Sequence, residues 1–230
     1  MGGGYGNSSI DIDESAGDSD LDGAIGLVYG SYEQDKWFVL GRLMGGWNDV
    51  DSSRTIATAT DLEHASSDSD SWLLGTGVSV GAHLPFPGGW KLSPRFNLDY
   101  VQQWHSDAHE KGGAGGAIDI DGYSTSALTA SGLFRVGRTL DFDVVAVEPF
   151  VQVGVAQRIA LGDRKTRGEF QDVDADFDVN LAHEDRTLGL VDAGAIVDFQ
   201  NGVSAQLNYG GQFEHEGSQH GVMATIRASW

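Results

Sequence analysis

Apolar and polar residues alternate along much of this chain. Between Trp72 and Leu84 the even positions carry Trp, Leu, Thr, Val, Val, Ala and Leu, whereas four of the six odd positions carry glycine or serine. The same period of two residues recurs over 90–100, 203–213 and 222–230. Successive side chains of a β-strand point to opposite faces, so each segment predicts a strand with one apolar and one polar face.

Weaker alternation completes an expected set of about nine strands. It covers residues 25–32, 37–47, 124–136, 145–155 and 187–199. No segment has the period of an amphipathic helix, and 33 glycines against 4 prolines suit strands whose backbones approach closely. The expected fold class is therefore all-β.

The composition excludes several classes of protein. With 34 acidic and 14 basic residues the formal net charge is −20, which disfavours a nucleic-acid partner because such proteins need basic surfaces against phosphate. The absence of cysteine excludes disulfides, thiolate zinc sites and cysteine nucleophiles. No apolar run is long enough for a membrane helix. Residues 1–7 lack the features of a signal peptide, so we expect a cytosolic chain or a processed piece of a longer one.

The connections between the expected strands are of two kinds. Short turns are expected at 33–36, 86–89, 140–143 and 200–202, the last of which contains the Asn-Gly pair of a tight hairpin. Long, polar and acidic connections are expected at 49–71, 105–122 and 161–186. Outer-membrane barrels have short turns at one rim and longer loops at the other. The pattern predicts an antiparallel up-and-down transmembrane β-barrel.

The spacing of aromatic residues supports this prediction. Trp37 and Trp47 share a face ten residues apart, and Trp90 and Tyr100 repeat the spacing. Ten residues of a strand tilted by about 40° rise about 25 Å, the height of the apolar band between two aromatic girdles. The predicted girdle residues are Trp37, Trp47, Trp72, Trp90, Tyr100 and Phe213. The alternative is a soluble β-sandwich, in which the apolar faces form a dry core.

In a barrel the polar face lines the lumen. The charged residues expected there are Arg42, Arg95, Asp99, Arg135, Glu148, Asp192, Asp198 and Arg227. The two signs are balanced in this set although the whole chain is acidic. Two interpretations remain open at this stage: the charges pair across a narrow wet interior, or they shape a lumen that holds a polar segment.

Several segments resemble the translocator domains of autotransporters. The final strand 221–230 alternates and ends on an aromatic residue, which resembles the signal that the barrel-assembly machinery reads. The strand pair 27–32 and 37–43 and the proline-containing strands 92–100 and 147–151 resemble that family's recurring strands, and the Gly189–Phe199 strand fits as well. The resemblance assigns the assembly signal to Val222, Ala224, Ile226, Ala228 and Trp230.

The resemblance implies a monomeric, non-catalytic barrel without cofactors in the outer membrane of a Gram-negative bacterium. Its implied role is to anchor and help to secrete an N-terminal passenger. Implied partners are outer-membrane lipid, lipopolysaccharide, the barrel-assembly machinery and the passenger in cis. An alternative of a different class is a small surface barrel whose acidic loops act as adhesive or ligand-binding elements.

The chain departs from the family's twelve strands. We expect residues 1–22 to form a strand stub at 2–7 followed by a solvated acidic loop, and residues 23–230 to form the barrel. On this interpretation about two strands, a threading segment and the passenger precede the stub. A ten-stranded barrel that uses residues 2–13 as its first strand is the alternative.

Other candidate sites are weak. The segment 18–23 begins like an EF-hand loop, but its twelfth position is Tyr29 rather than the required glutamate. Alternating carboxylates over 172–178 offer weak divalent-cation binding, and His105, Asp107, His109 and Glu110 offer an incomplete zinc set. A rim hydrolase built from 105–110 and 183–185 is the least favoured function, because no nucleophile motif or triad is present. We therefore predict no metal and no catalytic residue.

Overall fold

The chain is described by a computed structural model that covers residues 1–12, 17–57, 62–113, 116–163, 165–181, 185–199, 202–215 and 217–228. These ranges hold strands and one short 3-10 turn at Pro87–Gly89. The strands are β1 (Gly2–Ile12), β2 (Gly17–Gln34), β3 (Trp37–Ala57), β4 (Leu62–Ala82), β5 (Leu84–Phe86), β6 (Trp90–His105), β7 (Ala108–His109), β8 (Lys111–Gly112), β9 (Ile118–Ile120), β10 (Tyr123–Arg138), β11 (Leu140–Asp141), β12 (Ala146–Gly162), β13 (Lys165–Phe170), β14 (Asp176–Asn180), β15 (Arg186–Asp198), β16 (Val203–Phe213) and β17 (Ser218–Ala228). Among the described residues, no helix has the length and apolar character needed to cross a bilayer.

Ten long strands form one curled antiparallel sheet. Their order is β1-β2-β3-β4-β6-β10-β12-β15-β16-β17, so each long strand pairs with the next one along the chain. The expectation of an all-β, antiparallel up-and-down barrel wall is confirmed. A second sheet of four short strands, in the order β14-β13-β9-β7, is built from two of the long connections. Within the described ranges, β1 pairs only with β2 and β17 only with β16, which leaves one edge of each strand without a backbone partner.

The N-terminal segment differs from the expectation. Strand β1 is a full strand of 11 residues, paired with β2 from Gly2 opposite Leu27 to Ile12 opposite Gly17. The predicted solvated loop is therefore wrong over 7–12 and 17–22, and residues 13–16 lie outside the described part. This ladder depends on backbone hydrogen bonds and on contacts such as that from the Tyr5 hydroxyl to Oδ1 of Asp22 at 2.5 Å, rather than on apolar burial.

The first long connection is also mostly strand. Strands β3 and β4 remain paired up to Ala57 opposite Leu62, so the loop predicted over 49–71 is wrong outside 58–61, which the structure does not describe. The sequence pattern missed this because both faces of the extension are rich in Asp, Ser and Thr, which do not alternate in polarity. The other two predicted loops contain β7, β8 and β9, and β13 and β14.

Burial in the wall is inverted relative to a soluble sandwich. Five apolar residues of the alternating strands are exposed: Trp72 at 61%, Val78 at 41%, Phe96 at 54%, Leu207 at 59% and Ile226 at 80%. Small polar residues of the opposite face are buried: Ser71, Ser79, Asn97, Ser131 and Asn208. In a sandwich these two sets would exchange places, because its apolar faces pack against each other. The sandwich alternative is therefore excluded.

The register staggers neighbouring strands, as a barrel wall requires. A row of direct cross-strand partners starts at Tyr32, near the turn at 35–36, and ends at Phe213, next to the connection at 214–217. Its members in order are Tyr32, Val39, Val80, Phe96, Gly132, Val155, Gly189 and Phe213. The row thus climbs from the turn end of the wall to its loop end across eight strands, which is the geometry of strands tilted to the barrel axis.

Candidate functional site

The polar face carries a charge pair near the middle of the wall. Arg42 on β3 pairs with Asp99 on β6 and donates through Nη1 to Oγ of Ser79 at 2.9 Å. Strand β4 lies between these two strands, and Gly77 stands where the guanidinium crosses it. A Cβ at Gly77 would clash with Oδ1 of Asp99 and lie 2.8 Å from Nε of Arg42. The missing side chain therefore makes room for a pair that bridges two strands.

A second charge group lies nearer the turn end. Arg135 donates through Nη2 to Oε1 of Glu148 at 2.9 Å, and Nζ of Lys91 lies 3.5 Å from Oε2 of the same carboxylate. The guanidinium carbon of Arg135 lies 3.8 Å from the centre of the Phe150 ring. The group holds both cations against the wall.

Arg95 lies between these groups and is less completely satisfied. It donates through Nη2 to Oε1 of Gln152 at 3.3 Å, and its buried Nε has no hydrogen-bond partner in the described part of the chain. Asp192 accepts from Nδ2 of Asn208 at 3.1 Å. A concave cavity of 570 Å³ is lined by Lys91, Arg95, Arg135, Glu148, Gln152 and Asp192, among others.

The structure brings together six of the eight predicted lumen charges, in three groups along one wall. Asp198 and Arg227 share the strand parity of the polar face but lie exposed at its turn end, outside these groups. Sequence reasoning did not include Lys91 or Ser79, which contact Glu148 and Arg42. Both residues occupy polar-face positions in the alternation of their strands, so the sequence pattern could have predicted them.

The outward face carries an aromatic row at its loop end. Trp47, Trp72 and Trp104 are direct cross-strand neighbours on β3, β4 and β6. Trp104 was not predicted, whereas the predicted Tyr100 lies four residues nearer the turn end of the same strand. Extending the alternation of β6 by four residues finds Trp104. The other predicted girdle residues Trp37 and Trp90 lie at the turn ends of their strands, and Phe213 ends β16 at the loop end.

The four residues considered as an incomplete zinc set do not converge. His105 stacks on Tyr123 with ring centres 4.4 Å apart, and Asp107 accepts from the backbone N–H of Gly122 at 2.6 Å. His109 lies 3.1 Å from Asp119, and Glu110 pairs with Arg54. Across the described ranges, no three His, Asp or Glu side chains converge in a way that would hold a metal ion.

The acidic segment over 172–178 is likewise engaged or solvated. Asp176 lies 3.5 Å from Arg167, and Asp178 lies 2.6 Å from Lys165, each across the β13–β14 hairpin. Asp172 and Asp174 are exposed in the connecting turn. The rim histidine and glutamate at 183 and 184 lie outside the described residues, whereas Asp185 accepts from the backbone N–H of Ala160 at 3.0 Å.

The autotransporter β-domain family model matches residues 1–210, which is most of the chain. The chain belongs to the autotransporter β-domain family. It is thus an outer-membrane β-barrel translocator domain of the Gram-negative type. Translocator domains of this family are non-catalytic.

Solved structures share the fold of this wall, and a curated protein is similar to part of its sequence. The wall superimposes on the translocator domain of the autotransporter NalP from Neisseria meningitidis with a TM-score of 0.73 at 17% identity, covering 94% of this chain and 68% of that one. The β-domain of the Bordetella autotransporter BrkA gives a TM-score of 0.54 at 12% identity, covering 94% of both chains. An extracellular serine protease of Serratia marcescens is 30% identical over 135 residues, which are 59% of this chain and 13% of that protein.

The last strand of this β-domain forms one edge of the sheet. Val222, Ala224 and Ile226 pair with Tyr209, Leu207 and Ala205 on the outward face, and all three are exposed. Ala228 ends the strand opposite Val203. Trp230, the terminal member of the predicted assembly signal, lies outside the described residues. The role of these residues as a signal remains a prediction.

Proposed function

We propose that this β-domain anchors an N-terminal passenger and conducts it along the concave polar face, while the outward apolar face contacts lipid. The observation that carries the proposal is the inverted burial of the wall, with Trp72, Val78 and Phe96 exposed and Ser79 and Asn97 buried. An apolar side chain removed from water contributes about 1.5–3 kcal/mol. The outward apolar face, which is unfavourable in water, therefore anchors the domain when it contacts lipid.

The concave charges suit a path for a polypeptide. Arg42 is held flat against the wall by Asp99, two strands away, and Arg135 is held by Glu148 on the adjacent strand. Pairing along the wall leaves the middle of the lumen to water, whereas pairing across it would close the path. We propose that all eight predicted lumen charges line this path, with Asp198 and Arg227 at its turn end.

The two sheet edges need a partner in the membrane. An unpaired backbone N–H or C=O costs several kcal/mol in hydrocarbon, so an open β-sheet does not persist there. We propose that in the membrane β1 and β17 each gain a partner along their open edge, which closes the barrel. The domain division then becomes a first strand at 2–12 within the barrel, in place of a separate stub and loop.

Assembly and surface partners follow from the same arrangement. We propose that the outward residues Val222, Ala224, Ile226 and Ala228, together with Trp230, present the edge strand to the barrel-assembly machinery. The predicted girdle residues Trp37, Trp47, Trp72, Trp90, Tyr100 and Phe213 contact the interfaces of the bilayer, and those at the loop end meet lipopolysaccharide. Aromatic rings favour this boundary because one end is apolar and the other is wet.

A matched pair of substitutions tests the membrane contact. Val78 lies in the wall and Val173 in the turn between β13 and β14, and both are exposed, at 41% and 57%. If the outward face meets lipid, Val78→Lys reduces the free energy of unfolding of the vesicle-inserted chain by about 2–4 kcal/mol. Val173→Lys leaves that free energy unchanged. Equal effects of the two variants, or a chain that stays folded and monodisperse in buffer without detergent, would refute the proposal.

A second function is favoured by the four-stranded sheet outside the wall. The connections 106–122 and 163–181 build this ordered sheet instead of remaining extended loops. A small surface barrel with adhesive or ligand-binding loops would use such a sheet as its contact surface. Deletion of residues 171–175 within it would then abolish surface binding, whereas passenger secretion would continue.

A further inference from the structure

The connection after β6 continues along β4 toward the loop end of the wall. Its first residue, Ser106, donates through its backbone N–H to the carbonyl of Asp70 at 2.9 Å, and its hydroxyl accepts from the N–H of Asp70 at 2.9 Å. Strand β8 then pairs with β4, with Gly112 opposite Ala65. The connection is thus fastened to the upper part of β4, beyond the point where β6 ends.

The next residues cross to the concave side of the wall. Ile56 has the strand parity of Arg42, and Ala65 has that of Ser79, so both belong to the polar face. A Cβ at Gly113 would lie 2.8 Å from Cδ1 of Ile56 and 3.3 Å from Cβ of Ala65. Ala65 is only 1% exposed as a result. The backbone at Gly113 therefore lies directly on the concave surface.

One ion pair holds this crossing in place. Arg54 donates through Nε to Oε1 of Glu110 at 2.6 Å and through Nη2 to Oε2 at 2.8 Å, and the same Nη2 reaches the carbonyl of Gly116 at 2.9 Å. Oε2 of Glu110 also accepts from the backbone N–H of Ile118 at 2.9 Å. Both sides of the connection are thereby tied to β3 through a single bidentate pair.

The second connection closes over the neighbouring strands. Strand β13 pairs with β9, so the two connections form one sheet. Leu181, which follows β14, lines a cavity of 290 Å³ together with Thr125 and Arg158, which lie on the polar faces of β10 and β12. The sheet is therefore anchored on the concave side to β3 and β4, and the residue after β14 lies over the cavity along β10 and β12.

We propose that residues 106–113, 116–122 and 165–181 form a cap across the loop-end mouth of the channel, and that the Arg54–Glu110 pair is its latch. The inference rests on the proposed function only in taking the concave face as the wall of a channel. Opening the latch, followed by the short β8–β4 ladder, frees the cap to move on its chain connections to β6, β10, β12 and β15. A polypeptide can then leave, and the mouth closes again behind it.

The latch differs from the other contacts of the cap with the wall. The Glu110 side chain is 11% exposed, whereas Lys111 and Asp68, which join the cap to β4 at 3.2 Å, are 73% and 65% exposed. Exposed ion pairs contribute little because water screens them. Glu110→Gln removes the charge and leaves one acceptor oxygen to serve both the Arg54 guanidinium and the Ile118 N–H, so several ties are weakened together.

A single-cysteine reporter tests the cap, because the chain has no cysteine of its own. Thr125→Cys places a thiol on the concave face beneath Leu181. The chain is inserted in bacterial outer membranes and treated from outside with a membrane-impermeant maleimide that carries a polyethylene glycol chain. We expect slow labelling of the parent reporter and labelling about fivefold faster or more with Glu110→Gln, since the open population rises.

Two controls make the result specific. Lys111→Gln, which removes only the exposed pair, changes the rate by less than about twofold. Val78→Cys lies on the outward face and stays unlabelled in every variant if that face meets lipid. Rapid labelling of Val78→Cys contradicts the membrane proposal. It does not bear on the cap, which is judged from Thr125→Cys alone. If Glu110→Gln does not reach the membrane, Arg54→Lys keeps the charge but loses the bidentate fork, and it gives an intermediate rate. Rapid labelling of the parent reporter, or no acceleration by either latch variant, overturns the proposal.

Discussion

Trp47 and Trp72 are direct cross-strand partners on the outward face, and Nε1 of Trp47 donates to Oδ1 of Asp70 at 2.9 Å, two residues beyond Trp72. The two rings thus lie at the loop end of the apolar outward face, and the Trp47 N–H points toward the acidic extension of β3 and β4. On the proposed function, this pair lies at the boundary between membrane and exterior.

Trp47→Phe keeps the ring and removes the hydrogen bond to Asp70. We expect Trp47→Phe to reduce the free energy of unfolding in vesicles by about 0.5–1.5 kcal/mol, and Trp47→Ala to cost more because the aromatic ring itself is also lost from the outward face. Urea titration followed by tryptophan fluorescence measures both values. A Trp47→Ala variant as stable as the parent chain would contradict the assignment of this level to the interface.

Gly77 is expected to be the glycine of β4 that most resists substitution near the Arg42–Asp99 pair. Gly77→Ala puts a methyl group where Oδ1 of Asp99 and Nε of Arg42 already lie, so overpacking destabilises the wall by about 1–3 kcal/mol. Gly132→Ala is the matched control, because a Cβ there meets nothing within 4 Å. Unfolding from detergent micelles compares the two variants, and a neutral Gly77→Ala would show that the pair is not seated there.

The latch carboxylate should titrate below the ordinary range. Burial acts to raise the pKa of Glu110, but the Arg54 hydrogen bonds, the Ile118 N–H and the Arg54 charge together lower it, against a smaller opposing effect of Asp119. Because the folded-state pKa is depressed, the stabilisation is present above the unfolded value and is lost as pH falls through the folded value. The amide resonance of Ile118 should report a midpoint below that of an exposed glutamate. A midpoint at or above that value would contradict the latch geometry.

A disulfide should form between the cap and the wall. The Cβ at position 113 lies 3.3 Å from Cβ of Ala65, close to the separation of about 3.5–4.5 Å found in disulfides. Ala65→Cys with Gly113→Cys should therefore cross-link under mild oxidation, despite the positive φ of 75° at Gly113. Non-reducing peptide mass spectrometry detects the bond. Ala82→Cys with Gly113→Cys, at the other end of β4, should not cross-link, and equal yields would contradict the placement of the cap.

The local sequence predicted most of the strands and which side chains share a face. The period of two residues placed Trp72, Val78 and Phe96 on one side and Ser79 and Asn97 on the other, since side-chain direction in a strand depends only on position along it. The short turns were predictable for the same reason, because they depend on a few adjacent residues. The aromatic spacing of Trp37 and Trp47 likewise indicated a wall of membrane height.

Tertiary structure decided the extent and register of the strands. Segments 17–22 and 48–57 have no apolar alternation, yet they pair because β3 and β4 continue a ladder begun in the apolar band. Trp104 joined Trp47 and Trp72 only through that register. Arg54 and Glu110 are separated by 56 residues, and only the pairing of the connection with the outer part of β4 brings them together. Polarity patterns are local, whereas backbone pairing between strands joins residues far apart in sequence. The sequence alone therefore predicted the wall, and only the tertiary structure showed the cap.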